Sequence, residues 1–241
     1  RCGTHKTEEV IKEVLGIAYN EARQIKEEYD DGMLYRQNFN KNKLEQKNII
    51  LPGSDLKEMH RKYLIKRNFD PDYIIKKYRI QGTGIAGKWK YRIIIPIYYK
   101  HRLVSFQGRD ITNKQTYRYK TLSKEESGFD LGTTLYCIDE CKNNYIGIVE
   151  GCFDRWRMKD DFVCCLTSDL TDDQIMLLSE YEKAYFLFDP EKEAYEKAKK
   201  ISKKLNVLGV KTYVVSLDVG KDPAELSNDE ASDVRKEMGF V

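Results

Sequence analysis

Before about residue 88 the apolar positions return at helical spacing in separate stretches; beyond it they crowd into short runs. Over 7–29, Val10, Val14, Ile17 and Ala18 recur every three or four residues, which predicts an amphipathic helix with Thr7 as a cap and Gly16 weakening its middle. Residues 30–53, rich in Asn, Lys and Gly and closing on Pro52-Gly53, read as an irregular basic connection. Ser54 is placed to cap a helix over LKEMHRKYLIKRN. A second short helix, PDYIIKKY, follows Asp70-Pro71, where proline suits the first helical position. YRIIIPIYY (91–99), RLVSFQG (102–108) and YRYKTL (117–122) are β-branched and aromatic and predict strands, which leaves Gly108-Arg109-Asp110 at a strand end.

From residue 136 the pattern alternates. LYCIDECKN is helix-like and leads into the strand YIGIVE (145–150). Helix FDRWRMKD, strand FVCCLT, helix DDQIMLLSEYE, strand AYFLFD (184–189), helix KEAYEKAKKISKKL, strand KTYVVSL (211–217) and helix SNDEASDVRKEM follow. Apolar strands alternating with helices predict a parallel sheet covered on both faces. The expected fold class is α/β: a mostly parallel sheet flanked by helices, preceded by a mixed α+β basic subdomain. The boundaries divide the chain into a mainly helical 1–87, a β-rich 88–135 and an alternating 136–241.

The composition, 41% hydrophobic and 34% charged, is globular, and 241 residues can bury one large core or two modest ones. No apolar run approaches the roughly 20 residues that span a bilayer. The polar start Arg1-Cys2-Gly3-Thr4-His5-Lys6 is not a signal peptide. A soluble cytoplasmic protein without a membrane partner is expected. Six cysteines, at 2, 137, 141, 152, 164 and 165, suggest no disulfide framework and are expected mostly as small buried hydrophobes. Cys137 and Cys141, four apart, would share a helix face; a metal pair there is the alternative, with no second pair nearby. His60 and His101 have no evident partners and are expected at the surface.

The net charge of +3 hides an asymmetry. Residues 1–135 carry 27 Lys+Arg against 17 Asp+Glu, and residues 136–241 carry 15 against 22. A basic half joined to an acidic half points to a polyanion-binding surface beside a carboxylate-rich site. Lys57, Arg61, Lys62, Lys66, Arg67, Lys76, Lys77 and Arg79 interleave with Tyr63, Tyr73 and Tyr78. A solvated face over core tyrosines and a nucleic-acid contact both fit that pattern.

Parallel strands gather functional groups outside their carboxyl ends. YIGIVE ends at Glu150, AYFLFD at Asp189 and KTYVVSLD at Asp218, with Asp222 four residues on. Carboxylates meeting at one edge repel unless a cation lies between them. Hard oxygens with few histidines favour Mg²⁺ or Mn²⁺ over zinc, and such a site suits phosphoryl transfer. The competing reading is that acids at strand ends simply begin loops.

Three segments carry a resemblance. IVEGCFD (148–154), LFDPEKEA (187–194) and VGKDPAEL (219–226) are similar, in order, to the apolar-VEG-x-x-D, FDxDxAG and G-x-DP-x-x-L segments of the Toprim domain of DNA primases. LTSDLTDDQIMLL resembles the family's GT-x-LT-x-x-Q stretch. Upstream, YRIIIPI and RLVSFQGRD resemble R-I-x-F-P-I and G-x-x-GFGGR. RYKTLSKEESGFDLGTTLYCIDECK resembles KYLNSPE…F-x-KG-x-x-LY, and YLIKRNFDPDYIIKKY the short YL-x-x-RG segment. Each motif alone is weak; the ordered set, over roughly residues 56–226, is specific.

The chain thus resembles the bacterial and phage-type (DnaG-like) primases. The resemblance implies a Toprim-type fold for 136–241. It implies a nucleotidyltransferase, a DNA-directed RNA polymerase that makes short RNA primers from NTPs on single-stranded DNA, working with a replicative helicase in a primosome. Glu150, Asp189 and Asp222 would be catalytic, and with Glu191 would hold about two Mg²⁺ or Mn²⁺ ions. Asp154 and Asp218 would support them, and Asp218 competes with Asp222 for the strand-end position. Arg109, Arg92 and either Arg118 or Lys120 would lie beside nucleotide and template.

There are departures. The usual D-x-D is Asp189-Pro190-Glu191, the F-x-KG lysine is replaced by Leu131, and Thr167-Ser168 stands for GT. Arg1-Cys2-Gly3 looks like the tail of the family's zinc ribbon. Cys2 and His5 are too few for a tetrahedral site, so zinc is expected only in a missing ribbon and the chain is expected to be a fragment. The Lys- and Asn-rich composition is compatible with a phage, which would place the protein in host-cell cytoplasm. Two other functions share the acids. One is a Toprim nuclease or topoisomerase relative, which would need a nucleophilic tyrosine in a further domain. The other is a nucleic-acid-binding replisome module with a weakened site, supported by Asp-Pro-Glu and Leu131.

Overall fold

The computed structural model describes residues 47–167, 169–188, 192–217 and 221–240. The helix expected over 7–29, most of the basic connection, Cys2 and His5 lie outside them, as do Asp189, Glu191 and Asp218.

Two short helices come first, α1 (Glu58–Lys66) and α2 (Pro71–Tyr78). Asp70 caps α2 as expected, its Oδ1 accepting from the amides of Asp72 at 2.9 Å and Tyr73 at 3.4 Å. Ser54 does not cap α1. It pairs through both backbone groups with Gly82, and the helix starts behind Lys57, whose N–H donates to His60 Nδ1 at 3.1 Å. His60 is therefore not a surface residue: it is 0% exposed. It shares the inward face of α1 with Leu64, four residues on. A Cβ on Gly82 would come within 2.6 Å of the imidazole, so only glycine fits there.

An antiparallel sheet follows, in the order β1 (Gln81–Gly82), β2 (Arg92–Tyr99), β3 (Arg102–Asp110) and β4 (Tyr119–Thr121). Alternation divides its residues between two faces. Ile93, Ile95 and Ile97 of β2 pack with α1 and α2 residues such as Leu64 and Ile74 in one core. Ile93 pairs with Arg109, and Arg109 with Tyr119, so these share that face. Ile94, Phe106, Gly108 and Lys120 occupy the other, where the Trp89 ring lies 4.7 Å from that of Phe106.

Beyond a single helical turn, α3 (Lys124–Ser127), the chain does not form the helix that LYCIDECKN suggests. Tyr136 is extended and bridges Cys164, and Cys137 takes a left-handed φ of 64°. Only Ile138–Glu140 turns, as 3₁₀. Tyr136 is claimed by tertiary contacts: its hydroxyl accepts from Trp156 Nε1 at 3.1 Å.

The second sheet is wholly parallel, in the order β6 (Phe162–Cys164), β5 (Tyr145–Val149), β7 (Lys183–Phe186), β8 (Lys211–Val214). Both faces are covered, as its apolar strands predict. Val149, Phe162, Cys164 and Leu187 pack with α4 (Cys152–Met158) and α7 (Asn228–Glu237). Ile146, Ile148, Val163, Ala184 and Phe186 pack with α5 (Asp172–Leu178) and α6 (Lys192–Val207). Each such fully buried Val, Leu, Ile or Phe side chain contributes about 1.5–3 kcal/mol. β7 and β8 end earlier than their apolar runs suggest, at Phe186 and Val214. No helix among the described residues is long and apolar enough to cross a membrane.

Candidate active site

Glu150 follows the last residue of β5, and Gly151 caps α4. Parallel pairing places the end of β7, which leads to Asp189 and Glu191, beside β5 and pointing the same way. Glu150 is half-buried and lines a cleft of about 560 Å³ with Asp169, Glu193, Glu196, Lys197 and Lys200. Lys197 Nζ pairs with Asp169 at 3.0 Å. Burial pushes the nearby Cys165 thiol up to about 11, opposed by Lys197 and reinforced by the charge of Glu150. Sequence reasoning missed Asp169, Glu193, Glu196, Lys197 and Lys200. The signal was present in part: 193, 196, 197 and 200 recur at helical spacing and share a face of α6.

Asp154 and Asp222 meet. Asp154, 7% exposed, accepts the Gly151 N–H on Oδ2 at 2.8 Å and the Ala224 N–H on Oδ1 at 3.1 Å. Asp222 caps the 3₁₀ turn Pro223–Glu225 and accepts the same Ala224 N–H at 2.9 Å. One amide thus draws two carboxylates together, and Asp154 ties the Glu150–Gly151 turn to the Asp222 turn. Among the described residues no group of three or more His, Cys, Asp or Glu side chains is gathered as a metal site.

The basic residues separate. Arg109, 2% exposed, donates from Nε to Tyr63 Oη at 3.0 Å. Its guanidinium lies 4.6 Å from the Tyr119 ring centroid, 5.3 Å from Phe153 and 6.0 Å from Tyr63. Its Nη2 has no hydrogen-bond partner among the described residues. Arg67 stands over two of the same rings, 5.3 Å from Tyr63 and 5.6 Å from Phe153. Tyr119 Oη lies 3.9 Å from where a Cβ on Gly151 would be, which sets this cluster against the Glu150 turn. Burial raises the pKa of the Tyr119 hydroxyl, so it stays neutral.

Lys120 lies on the opposite face of the sheet, its Nζ 5.1 Å from the Trp89 centroid, and Arg118 is exposed. Arg92, 4% exposed, spends its guanidinium on three carbonyls: Gly108 at 2.7 Å, Tyr117 at 2.8 Å and Arg118 at 3.4 Å. It holds the β3–β4 loop closed. Leu131, in place of the family lysine, is buried. Cys137 and Cys141 do not share a helix; the Cys141 thiol contacts the Cys137 carbonyl at 3.8 Å, and burial pushes it up to about 12.

An antiparallel sheet set against the carboxyl edge of a four-stranded parallel sheet has counterparts among solved structures. The DnaG primase catalytic domain bound to single-stranded DNA superposes with a TM-score of 0.65 at 21% identity, over 75% of this chain and 71% of that one. The chain has the fold of a primase catalytic core. The primase fragment of the bacteriophage T7 primase-helicase protein superposes with a TM-score of 0.53 at 15% identity, over 84% and 83%. In sequence, the chain is 31% identical over 145 residues to a DNA primase of Aquifex aeolicus (strain VF5), which is 56% of this chain and 29% of that protein. The chain therefore spans under a third of that relative. No family model matches it. It resembles DnaG-type primases in both sequence and fold.

Proposed function

We propose that this chain is the catalytic core of a primase-type, DNA-directed RNA polymerase, with 136–241 as its Toprim domain and the basic 1–87 and 88–135 parts receiving the template. The carrying observation is a convergence. Asp154 and Asp222 meet on one amide beside the Glu150 turn, and Arg109 and Arg67 gather on the ring of Phe153, the residue next to Asp154, in a chain with the fold of primase cores. Carboxylates and guanidinium groups gathered at one helix start suit nucleotidyl transfer: a 3′-hydroxyl attacks an α-phosphate and pyrophosphate leaves.

Glu150, Asp189, Glu191 and Asp222 would hold about two Mg²⁺ or Mn²⁺ ions. This oxygen-only donor set fits hard divalent cations. Such ions, when bound, polarise phosphate oxygens and lower the pKa of the attacking hydroxyl. The chain's own cations share the work: Arg109 and Arg67 neutralise phosphate charge, and Lys197 and Lys200 in the Glu150 cleft receive the leaving pyrophosphate. Single-stranded DNA as template is supported by the DNA-bound DnaG relative. A replicative helicase as partner is supported by the T7 primase-helicase fragment. NTPs are the substrates, RNA primers the product, and the protein acts in the cytoplasm, in the host cell for a phage.

The test is primer synthesis on single-stranded DNA with labelled NTPs and Mg²⁺ or Mn²⁺, beside Glu150→Gln. Labelled primers that vanish in the variant support the reading. Strand cleavage without synthesis would replace it with a nuclease, and tight DNA binding with neither activity would replace it with a binding module.

A further inference from the structure

We infer that Tyr63 is a positioning residue: its hydroxyl sets the direction in which Arg109 presents its free guanidinium edge to the Glu150–Gly151 turn. The inference rests on the primase reading above.

A guanidinium is a flat fork of five N–H donors, so its orientation decides which donors reach a ligand. The rings of Tyr119, Phe153 and Tyr63 hold the Arg109 charge at 4.6, 5.3 and 6.0 Å from their centroids. Attraction to a ring face fixes the position of the charge but scarcely its rotation about the ring normal. Among the described residues one directional contact holds it, the 3.0 Å bond from Nε to Tyr63 Oη. It occupies the inner edge of the fork. Nη2 is left buried and unpartnered, a costly state unless a ligand completes it.

Among the described residues no carboxylate is bound to this guanidinium, and Arg67 places a second cation on the Tyr63 and Phe153 rings. The missing group is therefore anionic, and its chemistry is a phosphate oxygen, from a phosphodiester or from a nucleotide. Tyr63 is otherwise well set for the task. It rides on α1 one residue before the fully buried Leu64, and its ring meets Phe153 edge-on at 6.2 Å.

The experiment is a double-mutant cycle on Tyr63→Phe and Arg109→Ala. It reads the affinity of a labelled oligo-dT and of ATP by fluorescence anisotropy and competition, with thermal melting alongside. Tyr63→Phe keeps the ring and the Phe153 contact. It is expected to weaken one of the two probes about tenfold, with a melting temperature lowered by only a few degrees through the orphaned Arg109 Nε, and to add nothing in the Arg109→Ala background. The probe that responds identifies the phosphate source. Wild-type affinity for both probes in Tyr63→Phe overturns the inference, and so does an equal loss in both backgrounds. A wild-type chain that binds neither probe overturns the primase reading and this inference together.

Discussion

Asp154→Ala removes the residue that joins the two acidic turns. Its carboxylate accepts two backbone amides, Gly151 at 2.8 Å and Ala224 at 3.1 Å, and is 7% exposed. A hydrogen bond to a charged acceptor contributes about 1.5–3 kcal/mol, so losing both would cost about 3–6 kcal/mol. Asp222 continues to hold the Ala224 amide, which leaves only the Gly151 N–H orphaned and favours the lower end, about 3 kcal/mol. Against about 5–15 kcal/mol for a whole domain that is large. Asp154→Asn is expected to lose about 2 kcal/mol, because its one carbonyl oxygen satisfies one amide and its NH₂ opposes the other. The assay is equilibrium unfolding in urea, followed by the fluorescence of Trp156, which is buried two residues along α4. Asp154→Ala unfolding within about 0.5 kcal/mol of wild type, the range of an inert surface change, would refute the bridging role.

Burial lowers the pKa of His60 below the ordinary 6.5, despite the amide and carbonyls around it. The unfolded chain then takes up a proton that the folded chain refuses, so stability falls as pH drops below about 6.5; His60→Gln should flatten that part of a pH series of urea midpoints, and parallel curves would sink the argument. Arg155, 0% exposed, binds Glu140 at 2.8 Å and Tyr78 Oη at 3.0 Å. Glu140 is partly exposed and keeps Lys77 at 3.5 Å, so Arg155→Ala should cost about 1.5–3 kcal/mol, mainly through the lost charge-assisted bonds, and a melting temperature equal to wild type would contradict this. Single-stranded DNA affinity should fall log-linearly with salt, with a slope reduced by about 1 in Arg109→Ala; an unchanged slope would exclude Arg109 as a phosphate contact.

Where a residue's partners are near in sequence, its structure was legible. Asp70-Pro71 announced α2, the isoleucines of 93–97 announced β2, and the apolar strands after 145 announced a parallel sheet buried on both faces. Distant partners defeated local reasoning. Ser54 looks like a cap until Gly82 pairs with it, His60 looks exposed until the same glycine makes room for its ring, and Tyr136 leaves a helical pattern for Cys164 and Trp156. Glu150 was picked out by its strand end. The lysines and glutamates of α6 that share its cleft looked like an ordinary solvated helix face. Pairwise register separates Arg109 from Lys120, and nothing in their spacing alone states which face of a sheet meets the acids.

That separation limits what path a polyanion can take. Arg109 and Lys120 lie on opposite faces of β3 and β4, and β4 ends the antiparallel sheet among the described residues. A nucleic acid that touches both must turn sharply over the β4 edge. Duplex DNA, with a persistence length of about 50 nm, resists so tight a turn, whereas a single strand swivels freely at every phosphodiester. Under the primase reading, the sheet edge would then favour unpaired strands by their bendability before any base is read.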